Sequence, residues 1–87
     1  MTDWDEAKRR SNMDKHGVDF VEIVRFDWTT ALTREDKRGD YGERRYVSIG
    51  YIADRLHVCV VAAREGGLRL ISPRKANARE RTLYEQA

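Results

Sequence analysis

The chain has 87 residues, which suffices for one small domain but not for two. With 40% hydrophobic and 37% charged residues, its composition indicates a soluble globular protein with a highly charged surface. The longest apolar run, 58–63, is far shorter than the roughly 20 residues that cross a bilayer, and the first residues carry no signal-peptide core. We therefore expect a single domain over residues 1–87, in the cytoplasm and without membrane contact.

The positive charges are unevenly distributed along the chain. Arg residues cluster between Arg34 and Arg45 and again between Arg64 and Arg81, which predicts one positive face on a molecule of net charge +2. The single cysteine, Cys59, excludes an internal disulfide, and its apolar neighbours predict a buried side chain. Since two histidines and one cysteine show no ligand spacing, we predict no zinc or iron site and no cofactor. Magnesium held by scattered carboxylates stays an open alternative.

The first predicted element is a helix that begins near Glu6. Asp3 and Asp5 supply acidic residues for its first turn, which favours a helix N-terminus. Gly17 tolerates positive φ and is therefore expected to end the helix after residue 15 or 16.

A second helix is predicted over about 20–26. Asp19 followed by Glu22 is a variant of the capping box, and Val18 and Ile23 occupy the positions of a hydrophobic staple. Helical spacing predicts one buried stripe, formed by Phe20, Ile23, Val24 and Phe26.

After Trp28, short runs rich in Val, Ile, Tyr and Thr predict four strands, at about 31–35, 44–52, 56–63 and 68–72. A charged loop over 37–42 and two short turns, at 53–55 and 65–67, separate them. The continuous apolar run of the third strand indicates a central strand covered on both faces. Pro73 lacks a ladder N–H and is expected to end the fourth strand.

The last predicted element is a third helix, because Asn77 followed by Glu80 again forms a capping pattern. The helix continues through Tyr84, whose ring is expected to pack, and His57 within the third strand is expected to be structural. The order of elements predicts an α+β fold in which two N-terminal helices pack on a four-stranded antiparallel sheet, followed by a C-terminal helix.

Three groups of residues in the sequence match the pattern of one known family. They are Trp4-Asp5-Glu6-Ala7-Lys8 with Asn12, Lys15-His16-Gly17-Val18 and Phe20; Glu43-x-Arg45 with Ile49-Gly50; and Arg69-x-Ile71-Ser72-x-Arg74-Lys75-Ala76 with Glu80 and Tyr84. On these groups, which span nearly the whole chain, the sequence resembles the BrnT toxins of bacterial type II toxin-antitoxin systems. It departs from the family at Pro73, where such sequences usually have Ala, and it lacks the Asp-Pro often found near 26–30.

The resemblance implies a RelE-like fold and a metal-independent endoribonuclease that inhibits translation. It also implies a BrnA-like antitoxin that neutralises the toxin and represses the shared operon. We expect a heterotetramer of two toxins and two antitoxins, with operator DNA contacted only through this complex.

In RelE-like nucleases the RNA 2′-hydroxyl attacks the adjacent phosphate, so the protein must supply a base, an acid and positive charge. Lys8, Asn12, Lys15 and His16 share roughly one face of the first helix, which predicts an RNA-binding rim. The alternative is an ordinary solvated helix face. Histidine is a common acid or base in enzymes, which makes His16 a catalytic candidate; the alternative is a histidine that only caps helix carbonyls.

Further catalytic residues are expected at the sheet. Glu43 and Arg45 are two residues apart, so they point to one face, where Glu43 acts as a base or orients Arg45; a surface ion pair without function is the alternative. Arg69 and Arg74 are expected to stabilise the transition state with planar, phosphate-matching guanidinium groups. Arg79 on the last helix is a predicted RNA contact.

Two other classes of function fit the same charges. One is a module that binds DNA or RNA without cutting it, and the other is a ParE-like inhibitor of a protein target, because a fold alone does not determine function.

Overall fold

The computed structural model describes residues 2–87, so Met1 of the predicted domain lies outside the described residues. Within them, five strands form one sheet in the order β1-β5-β4-β3-β2. The strands are β1 (Thr2–Trp4), β2 (Leu32–Asp36), β3 (Arg45–Ile52), β4 (Arg55–Arg64) and β5 (Gly67–Lys75). The helices are α1 (Glu6–His16), a 3₁₀ helix (Phe20–Arg25) and α2 (Ala78–Glu85).

The predicted four-stranded antiparallel sheet is confirmed by β2 to β5, whose neighbours all run antiparallel. The short strand β1 is an addition that the sequence analysis missed. It pairs in parallel with Leu68–Leu70 of β5, so Asp3 lies in a strand and not in the first helical turn. A three-residue strand whose partner lies more than 60 residues later leaves no local sequence signal.

The α1 helix begins and ends where its capping residues predict. The Asp5 carboxylate accepts hydrogen bonds from the backbone N–H groups of Ala7 and Lys8, at 2.8 and 3.3 Å. Gly17 ends the helix with φ of 70°, a left-handed conformation that glycine adopts without steric cost. None of the helices that the structure describes is long and apolar enough to cross a membrane.

The second helix is a 3₁₀ helix, which corrects the predicted stripe at Val24. Phe20, Ile23 and Phe26 are buried as predicted, whereas the Val24 residue is 83% exposed. With three residues per turn, positions 20, 23 and 26 align on one side and position 24 turns outward. Asp19 caps this helix by accepting a hydrogen bond from Val21 N at 3.2 Å.

The sheet has two unlike faces. On the first, here called the helix face, the residues of the 3₁₀ helix pack with Ile52, Cys59, Val61 and Leu70. α1 lies along β5 and contacts the 3₁₀ helix. On the second, here called the open face, α2 covers only one end, where Tyr84 packs against a small cluster of Ile49, Leu56, Val58 and Ala76.

The α2 helix is fixed by its predicted capping box, in which Asn77 accepts from Glu80 N and Glu80 accepts from Asn77 N, both at 2.9 Å. At its other end, the Tyr84 hydroxyl donates to Thr30 O at 3.0 Å, and the ring makes an edge contact with Tyr51. The last helix is therefore held at both ends against the sheet.

Gly50 permits the closest approach between the 3₁₀ segment and the sheet. A Cβ at this position would lie 2.7 Å from a ring carbon of Phe26, and Phe26 forms a bridge with Ile52 of β3. A side chain at position 50 would therefore require the Phe26 ring to shift.

Pro73 does not end β5, which continues to Lys75 and thereby corrects the sequence-based expectation. In an extended strand the nitrogen and oxygen of one residue point to the same edge. The Pro73 carbonyl accepts a hydrogen bond from Asn12 at 2.7 Å, so the proline nitrogen faces α1 and not the ladder with β4. Because β1 pairs only with residues 68–70, no strand needs a donor there.

The two residues of β4 that were expected to be structural are both buried. Cys59 is fully buried, and burial raises the pKa of its thiol to about 12. His57 is 7% exposed, and its Nδ1 lies 2.8 Å from the carbonyl oxygen of Arg55.

Candidate active site on the open face

A β-bulge places two of the predicted catalytic arginines on the same face of the sheet. Arg69 and Arg74 are five residues apart, so in a regular strand their side chains would point to opposite faces. The register between β4 and β5 shifts within this interval and leaves Ile71 as an extra residue. Arg69 is opposite Ala62 and Arg74 is opposite Val58. Since these partners are four residues apart on β4, both arginines lie on the open face.

Arg45 joins Arg69 in one row across the sheet. Ala62 of β4 pairs with Arg45 of β3 on one side and with Arg69 of β5 on the other. We call these three residues the arginine row. The strands β3 and β5, which carry the two arginines, lie about 10 Å apart, because β4 is between them and neighbouring strands are spaced by about 4.8 Å. Ala62, between them, is fully buried.

Glu43 provides a carboxylate at one end of the arginine row. Its Oε2 lies 3.6 Å from Nε of Arg45, and its Oε1 lies 3.1 Å from a guanidinium nitrogen of Arg64. The Glu43 side chain is only 18% exposed. The predicted Glu43–Arg45 pair therefore exists as an ion pair, and Arg64 is a further member that the sequence analysis missed.

The guanidinium of Arg45 is held by an aromatic ring and remains incompletely hydrogen-bonded. Its central carbon lies 4.1 Å from the centre of the Tyr41 ring, a cation–π contact. Its Nε is buried and makes no hydrogen bond, since Glu43 is beyond hydrogen-bond distance. An unsatisfied buried donor costs about 1–3 kcal/mol, and such costs are concentrated at functional sites.

Asp36 fixes the loop that carries Tyr41. Its carboxylate accepts hydrogen bonds from Arg38 Nε and Nη2, both at 2.9 Å, and from the Tyr41 hydroxyl at 3.2 Å. These bonds, with Arg38 as the largest cause, hold the pKa of the Asp36 carboxyl well below its usual range. Asp36 also pairs with Arg45 across β2 and β3. The loop is thereby folded toward the arginine row.

Arg69 connects the arginine row to the start of α1. One of its guanidinium nitrogens lies 3.9 Å from Oδ2 of Asp5, the residue that caps α1. The backbone N–H groups of Lys8 and Ala7, and then the positive charge of Arg69, lower the pKa of the Asp5 carboxyl. The helix and the site are therefore linked through one carboxylate.

Arg74 is held by α2. Its Nη1 and Nη2 donate to the two carboxylate oxygens of Glu80, at 2.8 and 2.6 Å. The Arg74 hydrogen bonds are the largest cause that lowers the pKa of Glu80, and the same bonds raise the pKa of Arg74. One side of the Arg74 guanidinium is thus already paired with a carboxylate.

Among the predicted RNA-binding residues, Asn12 is placed differently from the prediction. It is 7% exposed, and its Nδ2 donates to the backbone oxygens of Val18 at 3.1 Å and Pro73 at 2.7 Å. Its amide joins α1 to β5 and is not available at the surface. Lys8, Lys15 and Arg79 are exposed.

His16 is exposed at the end of α1. Within the described part of the chain, it makes no hydrogen bond or ion pair with Glu43, Arg45, Arg69 or Arg74. The structure therefore brings together Glu43, Arg45 and Arg69, with Arg74 on the same face, and leaves His16 apart from them. Also within residues 2–87, no three His, Cys, Asp or Glu side chains come close enough to hold one metal ion.

Known proteins resemble this chain in sequence and in overall fold. The family model described as the ribonuclease toxin BrnT of type II toxin-antitoxin systems matches residues 4–80. No curated protein matches the sequence significantly. The crystal structure of the Brucella abortus ribonuclease toxin BrnT is similar, with 28% identity and a TM-score of 0.70 over 88% of this chain and 97% of that one. The chain therefore belongs to the BrnT family of ribonuclease toxins of type II toxin-antitoxin systems.

Proposed function

We propose that this toxin is a metal-independent endoribonuclease of the RelE-like type, which cleaves RNA on the open face and thereby inhibits translation. The observation that supports the proposal is the arginine row, with Arg45 and Arg69 flanking Ala62 and with Glu43 at one end. This arrangement offers a carboxylate and two guanidinium groups on one surface that α2 leaves uncovered.

The proposed reaction is an intramolecular transfer within RNA. The 2′-oxygen forms a bond to the adjacent phosphorus, and the bond from phosphorus to the 5′-oxygen of the next nucleotide breaks. The proton of the 2′-hydroxyl passes to a base, and the leaving oxygen receives a proton from an acid. The products are a 2′,3′-cyclic phosphate and a free 5′-hydroxyl.

Arg45 and Arg69 stabilise the negative charge that develops on the phosphorane. Guanidinium groups match phosphate oxygens with paired N–H donors, and they carry their charge at every physiological pH. Losing one fixed electrostatic contact of this kind typically costs about 10²- to 10³-fold in rate. These two cations provide the positive charge that a metal ion supplies in other nucleases.

Glu43 is the proposed base, because its carboxylate adjoins Arg45. Arg74 contributes phosphate contacts through the side of its guanidinium that Glu80 does not occupy. We propose His16 as the acid, which requires that the bound RNA reach from the open face to the end of α1. Lys8, Lys15 and Arg79 are proposed to contact phosphates farther along the RNA, through charge alone.

We further propose that a BrnA-like antitoxin binds this toxin in a heterotetramer of two toxins and two antitoxins, and that operator DNA is contacted only through that complex. The type II family supports the existence of a protein antitoxin. Because the proposed substrate is RNA, the proposed site of action is the cytoplasm.

The test is cleavage of an end-labelled RNA without ribosomes and with a metal chelator present. Wild type is compared with Arg69→Ala and with the matched control Arg55→Ala, an exposed arginine at the far end of the sheet, at the start of β4. Discrete fragments from wild type and Arg55→Ala, but not from Arg69→Ala, would support the proposal. Equal cleavage by Arg69→Ala would contradict the role of the arginine row.

Retained RNA binding without any fragments, also in the presence of ribosomes, would favour a binding module over a nuclease. Cleavage that the chelator abolishes would contradict metal independence.

A further inference from the structure

A groove of about 420 Å³ lies on the open face, beside the arginine row. Its walls come from α2 and from the loop between β2 and β3, and its floor consists of aliphatic side chains. The aliphatic residues that line it are Leu32, Val47, Ile49, Val58, Val60 and Leu83. Leu83 is 39% exposed, so part of this apolar surface contacts water. Apolar surface in a concave site typically marks a place where another molecule binds.

The rim of the groove carries uncompensated positive charge. Two of its basic residues are neutralised, since Arg38 pairs with Asp36 and Arg74 pairs with Glu80. Arg34 and Lys37 also line the groove, and neither makes an ion pair with any residue that the structure describes.

The remaining acidic residue of the rim, Glu35, lies next to Arg34 on β2 and therefore points to the other face of the strand. The available charge at the rim is thus positive, which favours an acidic ligand.

The chemistry of the floor distinguishes a peptide from RNA. Single-stranded RNA is held largely by stacking its bases on aromatic rings or on guanidinium planes. None of the described residues that line this groove is aromatic, and its aliphatic floor offers no guanidinium plane, since Arg34, Arg38 and Arg74 belong to the rim. Aliphatic floors instead accommodate the Leu, Ile and Val side chains of an amphipathic peptide segment.

We infer that this groove binds an acidic, amphipathic segment of the antitoxin, whose aliphatic side chains fill it. The inference rests on the proposed function, because it assigns the antitoxin a place beside the RNA-cleaving residues. Val47 and Val60 follow Arg45 and Ala62 as the next residues on the same face of β3 and β4, about 7 Å away. A segment in the groove would therefore cover the arginine row and block RNA from it.

The experiment measures antitoxin affinity and RNA cleavage for the same set of variants. The binding partner is the purified antitoxin encoded in the same operon, titrated by calorimetry onto the full-length toxin. Leu83→Asp introduces a negative charge into the apolar wall, in place of a half-exposed leucine that is outside the arginine row. The matched control is Val24→Asp, which places the same charge on an apolar residue that is 83% exposed, on the 3₁₀ helix that packs on the helix face.

We expect Leu83→Asp to bind the antitoxin about 30-fold more weakly or worse, as is typical for losing a central interface residue. Its cleavage of RNA should stay within about threefold of wild type, whereas its inhibition by antitoxin is lost. Val24→Asp should bind and be inhibited like wild type. Lys37→Glu, on an exposed loop, is a second variant that reverses a rim charge without touching the core, and we expect about tenfold weaker binding, most pronounced at low salt.

Three outcomes would overturn the inference. If both Leu83→Asp and Lys37→Glu bind the antitoxin as tightly as wild type, the groove is excluded as the antitoxin site. If only Val24→Asp loses antitoxin affinity, the interface lies on the 3₁₀ helix. Loss of RNA cleavage by Leu83→Asp with antitoxin binding retained would assign the groove to RNA. If wild type cleaves no RNA but Leu83→Asp still loses antitoxin selectively, the proposed nuclease function fails while the docking surface is supported.

Discussion

Arg45 and Arg69 face each other across Ala62, in a single register row over three adjacent strands. The two residues are far apart in the sequence, so the pairing of the strands alone brings them together. If both guanidinium groups stabilise the same phosphorane, their contributions to catalysis cannot be independent.

We therefore expect Arg45→Ala and Arg69→Ala each to lower kcat by about 10²- to 10³-fold, and the double variant to lose clearly less than the product of the two. The measurement is single-turnover cleavage at saturating enzyme, with circular dichroism to confirm the fold. Arg55→Ala, at the start of β4, is the control for loss of a positive charge elsewhere on the sheet. Strictly multiplicative losses would show that the two arginines act at separate places.

Asn12 is expected to govern stability and not RNA affinity. Its amide supplies donors to Val18 O and Pro73 O, and Asn12→Ala leaves these carbonyls without that partner. An orphaned buried polar group costs about 1–3 kcal/mol, which corresponds to a fall in Tm of at least about 4 °C for a chain of this size. Thermal unfolding and RNA binding, measured at a temperature where both proteins are folded, separate the two roles.

The control for this prediction is Lys8→Ala, one helical turn earlier and exposed. It should leave Tm nearly unchanged and lower RNA affinity, with a shallower dependence on salt if Lys8 contacts a phosphate. An Asn12→Ala variant of normal Tm with weakened RNA binding would contradict the structural role.

The parts of the fold that could be predicted are those set by residues close in sequence. Gly17 and the Asn77–Glu80 box act within one helical turn, and they end α1 and begin α2 where expected. The four antiparallel strands follow from apolar runs separated by turns. The strand β1 could not be predicted, because β5, with which it pairs, lies more than 60 residues later in the chain.

The site could be predicted only as a set of residue types. Spacing along the strand placed Glu43 next to Arg45, but the common face of Arg69 and Arg74 depends on the bulge at Ile71, which has no signal of its own. For Asn12, helical spacing with Lys8 indicated a shared surface. Its burial depends instead on a partner 61 residues away.

Cys59 is expected to be chemically inert in the folded protein. It is fully buried at the centre of β4, and burial raises the pKa of its thiol to about 12. Because the thiolate is the reactive form, labelling by a disulfide reagent at pH 8 should be slow until the protein is unfolded in urea.

The variant Ala7→Cys provides an internal comparison, because residue 7 is exposed on α1. In this variant the thiol at position 7 should react fast with the reagent, and the Cys59 thiol should react slowly. Two fast equivalents in the native protein would mean that β4 is accessible to the reagent.

Glu80 is expected to couple the stability of α2 to pH. Its carboxylate accepts from Arg74 and from Asn77 N, and these contacts, with Arg74 as the largest cause, hold the pKa of Glu80 below its ordinary value. A carboxyl with a lowered pKa in the folded state stabilises that state at pH values above its unfolded pKa, and this contribution is lost as the pH falls through the folded value. The stabilisation by Glu80 should thus be complete at pH 7 and vanish progressively below about pH 4.5.

Glu80→Gln should therefore melt earlier than wild type at neutral pH, by an amount that corresponds to about 1 kcal/mol, and the difference in Tm should shrink as the pH is lowered toward 3. Subtracting the two curves removes the acid sensitivity of the other carboxylates, such as Asp36 and Asp19, whose pKa values are also lowered. Glu85→Gln, on the same helix but exposed, should follow wild type at every pH. A Tm difference between Glu80→Gln and wild type that stays constant from pH 7 to pH 3 would show that Glu80 acts through its shape and hydrogen bonds, and not through its charge on Arg74.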